Sequence, residues 1–390
     1  MNDDLTPLLV DLRRELHRHP ELGLNLPKTQ AAVLDRLAGL GLDITTGAST
    51  TSITADLRNG PGPTILLRGD MDALPMPEDT GLDFASEVEG AMHACGHDAH
   101  TSMLVGAAHH LAARRDEFSG TIRFMFQPGE EGFAGATFMI DEGVLEGVDA
   151  AFALHITPNA PAGWIATRGG ALMASADTFK IVVRGRGGHA SMPYLALDPV
   201  PVAAEMVTAF QTMITRSINA FDPAVLTVAK ITAGTTTNVI PEIAVIEGTF
   251  RTVSEATRSE VMAGIQRVAD GVAAAHDAVA EVAIDVGYPV TINHAGFVRL
   301  VSEVVPLALP DGAYIETPNP VMGAEDFSYV LQQVPGAMAF LGVCPPDTNF
   351  NEASACHSNK MLLHEPAMNS GVAVLAEVAI AYLADPTRIT

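Results

Sequence analysis

The chain reads as an α/β protein, a mostly parallel sheet with helices on both faces, interrupted by an inserted ferredoxin-like domain of βαββαβ order. Three observations predict this. Short apolar runs alternate with helical patterns up to about residue 155, and alternation of that kind builds a parallel sheet. Between 178 and 289 the order changes to strand, helix, strand, strand, helix, strand, the split βαβ arrangement. The length, 390 residues, exceeds one ordinary core and suits two. The predicted division is 1–177 with 290–390 for the larger domain and 178–289 for the insert.

In chain order, Leu5, Leu8, Leu9, Leu12 and Leu16 recur at helical spacing, so a helix with one buried face opens the chain. TILLRGD (64–70), TIRFMFQP (121–128) and AAFALH (150–155) are compact β-prone runs that end in polar residues. Functional groups in parallel sheets gather at the carboxyl ends of strands. These three runs lead into Asp70 and Asp72, into Glu130 and Glu131, and into His155. The segment 98–115 is helical in pattern. Within the insert, TFKIVVRG, VLTVAKITAG, IAVIEGTFRT and VAEVAIDVGYP read as strands, with helices over 198–217 and 254–276. The pattern 366–384 is the last helix.

Hydrophobic residues at 48% and charged residues at 17% describe a packed protein, not a disordered one. The formal net charge of −24 argues against nucleic-acid backbones and anionic membrane surfaces as partners. No apolar run is read as long enough to span a bilayer, and the acidic, amphipathic N-terminus lacks the basic head of a signal peptide. A cytoplasmic location is the expectation. Three cysteines, Cys95, Cys344 and Cys356, form neither a disulfide framework nor a four-cysteine zinc knot, so a metal site would have to recruit histidine and carboxylate.

MHACGHDAH (92–100) is the densest polar cluster. Just before a helix, Cys95 and His97 can aim sulfur and nitrogen at one point, a donor pair suited to zinc, while imidazole also suits manganese, nickel or cobalt. His93 and His100 fit capping, core or ligand roles. In QPGEEG (127–132) two adjacent carboxylates follow a strand, so one can bind a cation while its neighbour contacts a water. An isolated EE pair is usually a solvated turn. His155 leaves a buried strand and His357 lies in the ACHSN loop. A lone histidine in either place is more often structural than a ligand. Cys356 competes with His357 as a donor, and Cys344 reads as packing. GRGGHASMP (185–193) lacks the third glycine of a dinucleotide loop, which leaves His189 as a substrate contact on a glycine-rich turn. Asn238 and Arg251 could hold a carboxylate.

RGDMDALP (68–75), MHACGHDAH, QPGEEG, ALH (153–155), GRGGHASMP, TTNVIPE (236–242), GAEDF (323–327) and HS (357–358) occur together and in order, after an opening LHRHPELG (16–23). The set resembles the N-acyl-amino-acid amidohydrolase family that includes hippurate hydrolase and the indole-3-acetyl-amino-acid hydrolases, a branch of the metallopeptidases. The resemblance implies a catalytic domain with an inserted lid that also dimerises. It implies two divalent ions per chain, zinc, manganese, nickel or cobalt. Cys95, His97, Glu131, His155 and His357 match the ligands, with Cys95 as bridging thiolate. Glu130 matches the general base for a metal-activated water, and Asp72 a carboxylate that supports a ligand, whereas Asp70 is not expected to be a ligand. His189, Asn238 and Arg251 match lid positions that contact substrate, His189 reaching the partner subunit's site. The implied reaction is hydrolysis of an N-acyl amino acid by a homodimer. Two competing readings are a deacetylase of a biosynthetic intermediate such as N-acetyl-diaminopimelate and a non-catalytic small-molecule-binding relative. A serine hydrolase would need a G-x-S-x-G elbow, which is missing.

Overall fold

A computed structural model describes residues 5–390, and the acidic head at residues 1–4 lies outside them. The described chain falls into two compact units. One runs to Leu172 and resumes over Ile292–Asn319 and Asp326–Thr390; the other comprises Met173–Thr291 and Pro320–Glu325.

The first unit is built on an eight-stranded sheet. Its order is Asp43–Thr46, Ile53–Asn59, Gly120–Gln127, Thr64–Asp70, Ala150–Thr157, Gly336–Gly342, Ile165–Thr167, Tyr314–Glu316. The four central strands are mutually parallel, and the strands beside them run antiparallel. In Thr64–Asp70 every residue after Thr64 is buried, the signature of a strand covered on both faces. The crossover between Thr64–Asp70 and Gly120–Gln127 is the helix His97–Ala113, whose residues His97–Ala108 are all buried. A helix buried all round has no amphipathic stripe and is covered by neighbours on every face.

Glu365–Ala384 corrects one expectation. It has the length and mean hydropathy (1.5) of a membrane span, although the sequence was read as having none. Two-thirds of it (67%) is buried within the protein, and its residues Met368, Val372, Leu375 and Val378 join the core formed by His97–Ala113 and Ala295–Ala308. It is a core helix.

The second unit has a four-stranded antiparallel sheet ordered Ala224–Ala233, Ile243–Thr252, Ala176–Arg184, Val279–Tyr288. With the helices Pro199–Ser217 and Glu255–Ala275 between strands, this is a βαββαβ unit. Alternate residues Phe179, Ile181 and Val183 point into a core shared with Met206, Phe210, Ile246, Phe250 and Ile265. Both helices start at side-chain caps, Asp198 accepting from Val200 N (3.0 Å) and Ser254 from Thr257 N (3.1 Å).

Candidate metal centre

The carboxyl ends of the central strands deliver most of the candidate residues to one place. Thr64–Asp70 ends in Asp70 and continues to Asp72; Gly120–Gln127 leads through Gly129 into Glu130 and Glu131; Ala150–Thr157 carries His155. Cys95 and His97 enter from the start of His97–Ala113. Gly96 turns the chain there with φ of 83°, and a Cβ on it would meet Ile156 Cγ1 at 2.4 Å. Only glycine fits that close approach. His357 comes from the loop after Gly336–Gly342. Its own φ is +68°, a conformation non-glycine residues seldom adopt and that clusters at functional sites, and its N–H donates to Ala94 O (2.8 Å).

Among the described residues five triplets have donor atoms within 4.8 Å of one another, and two of them are drawn wholly from the predicted ligands: Cys95, His97 and His155, and Cys95, Glu131 and His357. Cys95 belongs to both. Its Sγ lies 3.4 Å from His155 Nε2, while Glu131 Oε1 is 3.3 Å from His357 Nε2 and 3.9 Å from His97 Nε2. His155 Nδ1 donates to Ile156 O (2.6 Å), so in the neutral ring Nε2 carries the lone pair. Three donor atoms of the set are buried without a hydrogen-bond partner, His97 Nδ1, His97 Nε2 and Glu131 Oε1. Buried polar atoms are rarely left so unless something else is meant to meet them. The donor set, soft sulfur with imidazole and carboxylate, fits divalent transition ions.

Four carboxylates give the pocket its negative field. Burial lowers the affinity of the His97 ring for a proton, but Asp70, Asp72 and Glu131 outweigh it and raise its pKa well above the ordinary value. A site that draws a proton so strongly in the absence of a cation suits a divalent one. Asp72 positions several groups together. Its two oxygens accept the backbone N–H groups of Glu130 (2.9 Å) and Glu131 (3.0 Å), and Oδ1 faces His97 Nδ1 at 3.5 Å. Glu130 itself is only 7% exposed.

Asp70 is committed elsewhere. It accepts from Arg68 (2.6 Å) and pairs with His100 Nδ1 (2.6 Å); burial would raise its pKa, yet Arg68, His97 and His100 hold it well below the carboxylate range. His100 Nε2 accepts the N–H of Ile156 (2.8 Å), so both of its nitrogens are used and it serves the backbone. His93 belongs to neither triplet; burial pushes its pKa down to about 3. Cys344 donates to Thr348 O (3.3 Å) as a packing residue.

Motif reading missed two polar networks. Arg68 reaches Gln127 (2.9 Å) and Asp326 (3.0 Å), tying two strand ends to the GAEDF motif. His17, from the opening helix, bridges Asp98 (2.7 Å) and Glu78 (3.2 Å), and Arg13 pairs with the same Asp98 (3.0 Å). A polar residue on the buried face of the first helix was the available signal.

The His17 network carries a pH prediction. Burial opposes ionisation of Glu78, but hydrogen bonds from His17, Thr80 and the Ser86 N–H lower its pKa from 4.5 to about 2. A depressed carboxylate adds stability that is complete above its unfolded value and lost as pH falls through the folded one. Thermal unfolding of metal-free protein should therefore lose stability between pH 4.5 and about 2 more steeply than that of Glu78→Gln. Equal slopes would remove Glu78 from the account.

His189, Asn238 and Arg251 all lie in the second unit. Gly188–His189 pairs with Val239–Ile240, and Ala190 N donates to Asn238 O (3.1 Å), so His189 and Asn238 sit across a two-residue ribbon. His189 is exposed, and its Nδ1 accepts from Ser191 N (3.1 Å). In the neutral ring the proton is then on Nε2, which faces outward as a donor. Arg251 lies on Ile243–Thr252 opposite Val225.

A parallel-sheet domain whose strand ends converge on thiol, imidazole and paired carboxylates defines a metallohydrolase. Residues 66–381 match the model of peptidase family M20/M25/M40, and the chain belongs to that family. It is 38% identical over 384 residues to thermostable carboxypeptidase 2 of Saccharolobus solfataricus, covering 96% of this chain and 95% of that one. It is 40% identical over 335 residues to N-acetyl-L-cysteine deacetylase of Bacillus subtilis, covering 86% and 80%. Among solved structures it is similar to a dinuclear metal-binding M20 peptidase of Bacillus subtilis, with a TM-score of 0.86, 34% identity, and coverage of 97% and 99%. The chain is an enzyme that hydrolyses amides.

Proposed function

We propose that this enzyme cleaves the amide bond of N-acyl amino acids with two divalent ions, which the two donor triplets would hold, with the Cys95 thiolate common to both. The observation that carries the reading is that both triplets share Cys95. A shared anion offsets the repulsion between two cations. Divalent ions in such a site polarise a carbonyl oxygen and lower the pKa of water. His97 and His155 would hold one ion and Glu131 and His357 the other, and Asp72 orients His97 and the Glu130–Glu131 backbone.

Glu130 is the general base: it takes the proton of the attacking water and returns it to the departing amine nitrogen. His189, with Nε2–H outward, donates to the carbonyl oxygen as negative charge builds there. It does so in the site of a second copy of the chain, the second unit acting as lid and dimerisation domain. Asn238 and Arg251 hold the amino acid carboxylate, for which a guanidinium is the fitting group. A carboxypeptidase and an N-acetylcysteine deacetylase both cut an amide whose nitrogen belongs to an amino acid with a free carboxylate. Their likeness to this chain supports that substrate class.

The test is elemental analysis of protein reconstituted with zinc, manganese, nickel or cobalt, then turnover of acetyl-, benzoyl- and indole-3-acetyl-amino acids, N-acetyl-diaminopimelate and a dipeptide. The expected result is two ions per chain and fastest release from a simple N-acyl amino acid. Fewer than about one ion per chain, or turnover of the dipeptide alone, refutes the reading.

A further inference from the structure

The chain holds three free thiols, and two of them meet at the metal centre. Cys95 Sγ lies 3.4 Å from His155 Nε2, His155 Nδ1 donates to Ile156 O (2.6 Å), and Cys356 Sγ lies 3.9 Å from that same carbonyl, so both thiols border His155 and each perturbs the ionisation of the other. An independent backbone contact ties the same segments: His357 N donates to Ala94 O at 2.8 Å, one residue from each cysteine. A disulfide needs Cα atoms roughly 4.4–6.8 Å apart, a spacing that hydrogen-bonded neighbouring backbones provide. Cys95 is 7% exposed, whereas Cys356 is half-buried and the more accessible of the two. Cys344 is buried and held by the carbonyls of Pro345 and Thr348.

We propose that Cys95 and Cys356 form a reversible redox pair, in which a peroxide converts the metal-free site to a Cys95–Cys356 disulfide and removes Cys95 from the ligand set. The proposal rests on Cys95 being a metal ligand. The chemistry balances in two steps. The Cys356 thiol attacks one peroxide oxygen, breaking the O–O bond, which yields a sulfenic acid and one water. The Cys95 thiol then attacks the sulfenic sulfur; the S–O bond breaks and its hydroxyl leaves with the thiol proton as a second water. Two electrons pass from the thiol pair to the peroxide, and a dithiol reductant returns them. Bound ions occupy the Cys95 sulfur, so the loaded enzyme resists and the pair becomes vulnerable when metal is lost.

The experiment treats metal-free protein with one equivalent of hydrogen peroxide and follows intact mass, free thiols, peptide cross-links and subsequent metal binding. The expected result is loss of two hydrogens, a fall from three titratable thiols to one, a 95–356 cross-link, and loss of metal binding that dithiothreitol restores. Metal-loaded protein should keep its thiols under the same treatment. Cys356→Ser, with Cys356→Ala as a second variant, should form no cross-link and should keep its two remaining thiols and its metal binding under the same treatment. Absence of the 95–356 cross-link in wild type, or reversible metal loss in both variants equal to that of wild type, overturns the pair. If the fully reduced protein, with three thiols titrated, binds no metal, the ligand reading fails instead, and the cross-link result distinguishes the two failures.

Discussion

Glu130→Gln will bind metal as the parent does and lose on the order of 10²–10⁴-fold in turnover, the usual worth of a positioned acid–base group. The carboxamide keeps the size of the side chain, which matters at a position only 7% exposed. The backbone N–H groups of Glu130 and Glu131 still reach Asp72, so the turn that presents Glu131 is unchanged. What disappears is the proton acceptor. Metal content measured beside kcat separates this from a damaged site. A variant that turns over near the parental rate would move the role to Glu131, which faces His97 and His357, because Asp98 is engaged by Arg13 and His17.

His189→Ala should lose roughly 10²–10³-fold in kcat, the cost of deleting one donor to a developing oxyanion. It should also retain its fold, since His189 is exposed and touches mainly its own turn through Ser191. The stronger expectation concerns a mixture of His189→Ala with Glu130→Gln under subunit exchange. In a dimer whose His189 acts across the interface, each mixed dimer holds one site with both groups intact. At equal amounts and random exchange about a quarter of parental activity should return, because half the dimers are mixed and each has one working site of two. A mixture that stays inactive while mass measurement verifies exchange would confine His189 to its own chain. A monomer with full activity would refute the assembly.

Much of the site was legible because the physics of parallel sheets is written locally. Apolar runs that end in Asp, Glu or His at 70, 130 and 155 identify strand ends without any coordinates, since a buried strand can tolerate such groups only where it emerges. His100 shows the limit. From sequence it kept capping, core and ligand roles open, three residues from His97 on the same helix start. Only the fold supplies Asp70 on one side and the Ile156 N–H on the other, consuming both nitrogens.

By itself, then, the sequence determined the α/β class, the alternation of elements and the donor types available, because each depends on residue periodicity or on chemistry carried within a few positions. The tertiary structure alone decided which donors converge. Cys95, Glu131, His155 and His357 are spread over more than half of the chain, and their meeting depends on strand order, with Gly336–Gly342 placed beside Ala150–Thr157. It also decided that Arg13 and His17 secure Asp98 from a helix some eighty residues earlier, and that Glu365–Ala384 is buried core and no membrane span. Partnership and burial are properties of contacts distant in sequence, and no local pattern encodes which distant group will arrive to satisfy a buried nitrogen or cover an apolar face.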